Sequence, residues 1–112
     1  MNNEFKIDSK IENNKLIIST HGYINNHGGE KISAEAMKHI NEGIKTVILD
    51  LKDSKVVNSI GISLLIEIIE KLNHKEGKLI FINLDPTIEK TFTIMGLFQF
   101  AVKAQSLEEA LN

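Results

Sequence analysis

Two uninterrupted apolar runs of strand length, TVILDL (Thr46 to Leu51) and KLIFINL (Lys78 to Leu84), set the strongest constraint on this chain. A strand without polar alternation has no face suited to water, so it must be covered on both sides. The sequence offers helices as the covering. Between the runs, from Ser59 onward, Ser63, Glu67, Glu70 and His74 fall at steps of four, three and four residues in a segment otherwise rich in Leu and Ile. That spacing makes one polar stripe on an apolar helix, and Gly77 closes the segment. Strand, helix and strand together form a parallel crossover unit.

The flanking segments extend this pattern. Phe5 to Ile11 alternates apolar and polar residues at period two, and KLIIST (15–20) follows after Asn13-Asn14, a pair suited to a hairpin turn. In the next segment Ile32, Ala36 and Ile40, with Met37 beside them, share one helical face, and Gly43 sits where a left-handed terminating residue is wanted. Asp85-Pro86 opens another helix with an acidic cap and a proline at the first helical position, and Ile88, Phe92 and Met95 line one face up to Gly96. FQFAVKA (98–104) reads as a last strand, and Ser106-Leu107-Glu108-Glu109 has the capping-box pattern of a short terminal helix. The predicted order is β-β-α-β-α-β-α-β-α. This is an α/β fold with a mixed, largely parallel sheet of about five strands and four helices, the third strand central. No repeat, linker or composition shift divides the chain, so one domain over 1–112 is expected.

Composition narrows the function classes. The chain has no cysteine, which excludes thiolate metal sites, disulfides and cysteine nucleophiles. Thirteen basic and fifteen acidic side chains, spread without blocks, give a net charge of -2, unlike the basic face of a nucleic-acid binder. Without tryptophan, and with one tyrosine, base stacking has little to work with. The opening MNNEFKID lacks a leader-like apolar run, and no stretch approaches the ~18 apolar residues of a membrane span. A soluble cytoplasmic domain is therefore expected. His21, His27, His39 and His74 form no ligand spacing with one another or with a completing carboxylate, so neither a metal site nor a cofactor is expected. NNHGGE (25–30) lacks the phosphate-loop patterns and reads as a loop and helix entry. Ser59 lacks the nucleophile-elbow context, which points away from catalysis.

Ser59 stands in VVNSIGISLL (56–65), at the entrance to the most apolar helix. Two readings of its hydroxyl are open. As an N-cap it would satisfy an orphan backbone N–H, worth about 1 kcal/mol. As a phosphoacceptor it would place about -1.5 to -2 charge where the helix dipole tolerates it.

With Leu49-Asp50-Leu51 before it, this stretch resembles the STAS domain, the fold of bacterial anti-sigma factor antagonists and of the cytoplasmic tail of sulfate transporters. The family form is Asp-Leu, a short spacer, an apolar pair, then Asp-Ser-Ser/Thr-Gly and a small-and-apolar helix. The similarity runs along nearly the whole chain, through Gly77-Lys78-Leu79, Asn83-Leu84 with Pro86, Met95-Gly96-Leu97 and the closing Ser106 to Leu111. The resemblance implies a non-enzymatic regulator that docks an anti-sigma factor. That partner is a serine kinase of the histidine-kinase-like ATPase type, and a serine phosphatase reverses its action. By position Ser59 is the phosphoacceptor. The implied docking surface comprises Asn58, Ser59, Ile60, Gly61 and Ile62, joined by Asn25, Asn26, Gly28 and Gly29. Gly61 matches the family, whereas Asn58 stands where Asp is usual and Ile60 where Ser or Thr is usual. A monomer without nucleic-acid partners is expected. The rival reading is a constitutive STAS scaffold or subunit of a signalling or lipid-transport complex, and a small-ligand sensor built on Gly28-Gly29 is the third.

Overall fold

The computed structural model describes residues 4–112, so the first three residues of the opening MNNEFKID lie outside the described residues. Strands β1 (Lys6–Glu12), β2 (Lys15–His21), β3 (Thr46–Asp53), β4 (Lys78–Ile82) and β5 (Val102–Lys103) alternate with α1 (Asn26–Asn41), α2 (Ser59–His74) and α3 (Pro86–Ile94), and α4 (Leu107–Leu111) ends the chain. The five strands lie in sequence order, with β3 in the middle. β1 and β2 are antiparallel, and every later pairing is parallel. The hairpin turns on Asn13 and Asn14, both at positive φ (55° and 62°), as a tight primed turn requires.

Both apolar runs are buried on both faces, for the reason their composition implies. Leu16, Ile18, Val47, Leu49, Leu79 and Phe81 face the main core, which α1, α2 and α3 cover. Ile17, Ile48, Ile80 and Ile82 face the opposite side, where Ala110 of α4 packs among them with Leu107 and Leu111 against its edge. The covering is unequal. Two sixteen-residue helices and the nine-residue α3 shield one face, and a five-residue helix shields the other. Ser63, Glu67, Glu70 and His74 form the exposed stripe of α2.

Three expectations need correction. The run from Lys78 ends as a strand at Ile82, because Asn83 turns to positive φ (58°) and its amide donates to Asp50 at 3.0 Å. FQFAVKA is not one strand: Leu97–Gln99 forms a 3₁₀ turn, and only Val102–Lys103 pairs with β4. Gly96, at φ 80°, stops α3 and lets Leu97 fold back into the core, while Phe98 packs edge-on against Phe81 at 6.0 Å. Met95 consequently does not continue the buried face of Ile88 and Phe92. It caps the end of α3 and is half exposed, its inward place taken by Leu97. The caps expected at Asp85 and Ser106 are present, accepting from the N–H groups of Thr87 and Glu109 at 3.1 Å each.

Two polar ties fasten the layers. Ser9 on β1 donates to Glu35 on α1 at 2.6 Å, and His39 lies 3.1 Å from the same carboxylate oxygen. The Ser9 hydroxyl, aided by His39 and opposed by partial burial, holds the Glu35 carboxyl below its ordinary value of 4.5. A lowered folded-state pKa adds stability that is complete above the ordinary carboxylate range and disappears as pH falls through the folded value. Glu35→Gln should therefore lower the melting temperature at neutral pH, and the gap from the parent should close below pH ~4; thermal melts across pH 3–7 check this. The second tie joins the buried hydroxyls of Thr20 and Ser54 at 2.7 Å, where β2 and β3 run out into loops. Ser54→Ala strands the Thr20 hydroxyl and should cost about 1–3 kcal/mol, whereas adding Thr20→Val should recover part of that loss. A double-mutant cycle by denaturant unfolding measures the coupling.

Candidate functional site at the paired helix entrances

Beyond the sheet, the loops after β2 and β3 remain zipped together. Gly22 N–H donates to Asp53 O at 3.0 Å, Ile24 N–H to Val56 O at 2.9 Å, and Asn58 N–H to Ile24 O at 3.0 Å. Ile24 and Val57 thereby form an isolated parallel bridge, which sets the starts of α1 and α2 side by side. Both helices open with the same local device, Asn-x-x-Gly. Asn25 accepts from Gly28 N–H at 3.0 Å, and Asn58 accepts from Gly61 N–H at 2.7 Å. Short polar side chains in extended backbone suit this position because they satisfy an orphan N–H of the first turn.

The cap reading of the Ser59 hydroxyl is therefore corrected. Asn58 is extended (φ -93°, ψ 176°) and supplies the cap, whereas Ser59 is already the first helical residue. Its side chain is exposed and has no hydrogen-bond partner among the described residues, and its carbonyl accepts from Ser63 Oγ at 3.1 Å. The first intrahelical bond of α2 runs from Ile62 N–H to Asn58 O at 2.9 Å. The N–H groups of Ser59 and Ile60 precede it, and Asn58 occupies that of Gly61. Neither α1 nor α2 carries an acid in its first turn, so the positive ends of both dipoles are uncompensated there.

The segment Asn26 to Gly29 is also not a loop. It is the first turn of α1, and its glycines are packing elements. A Cβ on Gly29 would lie 2.7 Å from Leu64 Cδ1, and one on Gly61 would lie 2.4 Å from the Ile24 carbonyl oxygen. The helices thus cross with bare backbone between them. Gly28, Gly29, Gly61 and Ile62 are buried beneath the corner, Asn25 and Asn58 are half-buried caps, and Asn26, Ser59 and Ile60 face outward. Ile60 is 53% exposed, with Val56 (55%) and Tyr23 (46%) on the two zipped loops. Val56 and Tyr23 escaped the sequence reading. An apolar residue in the polar loop DSKVV was the available signal for Val56, and nothing local marked Tyr23.

Among the described residues no group of three or more His, Asp or Glu side chains is placed to hold a metal ion, and no helix is long and apolar enough to cross a membrane. The corner can present a hydroxyl, an apolar rim and unpaired N–H donors to a macromolecule. Asn58→Ala should lose about 0.5–2 kcal/mol and Asn58→Asp little. Gly61→Ala should lose more than either, since its methyl meets a fixed carbonyl. Urea unfolding of the three variants gives the ranking.

The pattern of STAS domain sequences matches residues 6–110. BtrV of Bordetella bronchiseptica, described as a candidate anti-sigma factor antagonist, is 27% identical over 95 residues, covering 85% of this chain and 82% of its own. The phosphorylated form of the Bacillus cell fate determinant SpoIIAA is 26% identical and superposes with a TM-score of 0.74, covering 96% of each chain. A structure from Thermotoga maritima described as a candidate anti-sigma factor antagonist, 15% identical, shares the fold with a TM-score of 0.86 over 94% of this chain and 91% of that one. With its five-stranded sheet, its paired helix entrances and this match over nearly its whole length, the chain belongs to the STAS domain family.

Proposed function

We propose that this protein is an anti-sigma factor antagonist, a non-enzymatic cytoplasmic regulator that binds an anti-sigma factor through the corner around Ser59. The anti-sigma factor is a serine kinase of the histidine-kinase-like ATPase type, Ser59 is its phosphoacceptor, and a serine phosphatase resets the switch. The observation that carries this reading is the position of Ser59: first in α2, exposed, its hydroxyl uncommitted because Asn58 does the capping. A phosphate there gains the dipole of α2 and the N–H groups of Ser59 and Ile60, so the domain stays folded when modified. Asn58 caps as an aspartate would but adds no like charge beside the phosphate.

The switch acts on binding. Ile60, Val56 and Tyr23 supply apolar contact around Ser59, and Asn26 supplies a polar one. Gly28, Gly29, Gly61 and Ile62 act from beneath by setting where the two helix entrances stand. A double negative charge inside such a desolvated contact, left unpaired, costs several kcal/mol, enough to change affinity by orders of magnitude. That a SpoIIAA structure exists in phosphorylated form supports the reading.

One observation favours a second reading, a constitutive subunit. Ile60 presents apolar surface beside Ser59 whatever the charge state of the serine. The two part on one experiment. The chain is incubated with ATP and each histidine-kinase-like anti-sigma factor of its source genome, then mapped by phosphopeptide mass spectrometry, and partner affinity is measured for Ser59→Asp and Ser59→Ala. A switch predicts phosphate on Ser59 and a loss of at least about a hundredfold in affinity for Ser59→Asp only. Unchanged binding of Ser59→Asp, or phosphate on another residue, would sink the switch and leave the constitutive subunit.

A further inference from the structure

At the other end of α2 the surface opens into a groove of about 750 Å3 between the last two turns of that helix and the turn joining α3 to β5. Ile66, Ile69 and Leu97 form its apolar base, and Met95 and Phe100 form the facing wall. The wall is half exposed or more, Phe100 at 63%, and Ile94 and Val102 extend the exposed apolar surface beyond it. Here the structure departs from the sequence pattern by turning apolar side chains outward: Met95 leaves the buried stripe of α3, and the expected strand around Phe100 does not form.

Polarity in the groove is one-sided. Its polar rim is α2, where Glu70, Asn73 and His74 follow one another at helical spacing, and Glu67 precedes them on the same exposed stripe. No lysine lines it, although the chain carries thirteen basic residues, and the nearby Lys103 is engaged with Glu89 and the Phe98 ring. From Ile66 to Asn73 the groove runs roughly 10 Å along α2, the length of two turns of a facing helix. An apolar trough of that length with an acid on its rim complements an amphipathic helix whose apolar residues recur at i, i+3, i+4 and i+7 and whose flank is basic.

We propose that this groove docks an amphipathic helix of a second protein, with Lys or Arg against Glu70 and a bulky apolar side chain against Phe100. Glu70 lies eleven residues beyond Ser59, roughly 16 Å along the helix, so the contact is separate from the corner around Ser59 and does not depend on the charge there. The chain then carries two docking surfaces, one at each end of α2.

The test uses a displayed library of helical peptides about 16 residues long, with apolar residues varied at i, i+3, i+4 and i+7 and Lys or Glu varied on the flanks. Enriched peptides are synthesised, and binding is followed by fluorescence anisotropy and by amide shifts of the labelled chain. The expected result is enrichment of basic flanks, shifts confined to residues 66–74 and 95–102, and affinity reduced at least roughly tenfold by Phe100→Ser and by Glu70→Lys. Both positions are exposed, and circular dichroism verifies that the variants fold. Ser59→Asp should leave peptide affinity unchanged, which separates this result from the fate of the switch. Enrichment without basic flanks, equal binding by both groove variants, or failure to enrich any helix overturns the proposal. So does a dimer of the chain itself that Phe100→Ser dissolves, because the occupant would then be a second copy.

Discussion

The molecule depends on one close approach, in which Gly61 at the start of α2 passes the Ile24 carbonyl with no room for a side chain. A Cβ placed 2.4 Å from that oxygen would force the loops after β2 and β3 apart. Those loops carry the Ile24–Val57 bridge, and the bridge puts the two helix entrances together. The same approach brings Gly29 of α1 against Leu64 and Gly61, so the crossing of the two longest helices and the position of Ser59 share one steric origin. Backbone contact at this density leaves the corner little room to rearrange.

Around that contact the protein divides its polar chemistry by place. Buried hydroxyls pair with each other at Thr20 and Ser54, a partly buried carboxylate finds Ser9 and His39, and both asparagine caps satisfy helix donors. Ser59 stands outside all of these. A hydroxyl committed to capping would give up a structural bond on modification; one made redundant by its neighbour does not. The substitution of Asn for Asp at 58 is physically mild for the fold, because the two residues cap almost equally well, and its consequence lies in the charge beside the serine.

Much of this was legible without coordinates. The double-sided burial of Val47 to Leu49 and Leu79 to Ile82 follows from runs that have no polar face, and the exposed stripe of α2 follows from its spacing. Caps at Asp85 and Ser106 and the Asn13-Asn14 turn are local chemistry, readable from a few neighbouring residues. The misreadings share a different character. FQFAVKA has strand composition, yet Gly96 in a left-handed conformation spends its first residues on a 3₁₀ turn that seats Leu97. NNHGGE has loop composition, yet its glycines are there because another helix presses against them.

The sequence by itself therefore determined the layers, the order of elements along the chain, the central place of the third strand and the helix that bears Ser59, because hydrophobic period and turn chemistry act over a few residues. Tertiary structure decided which residue caps α2, which glycines are buried and where the apolar rim of the corner lies. Those outcomes depend on Ile24 meeting Val57 and Asn58, more than thirty positions away in the chain, and no local pattern encodes a distance of that kind.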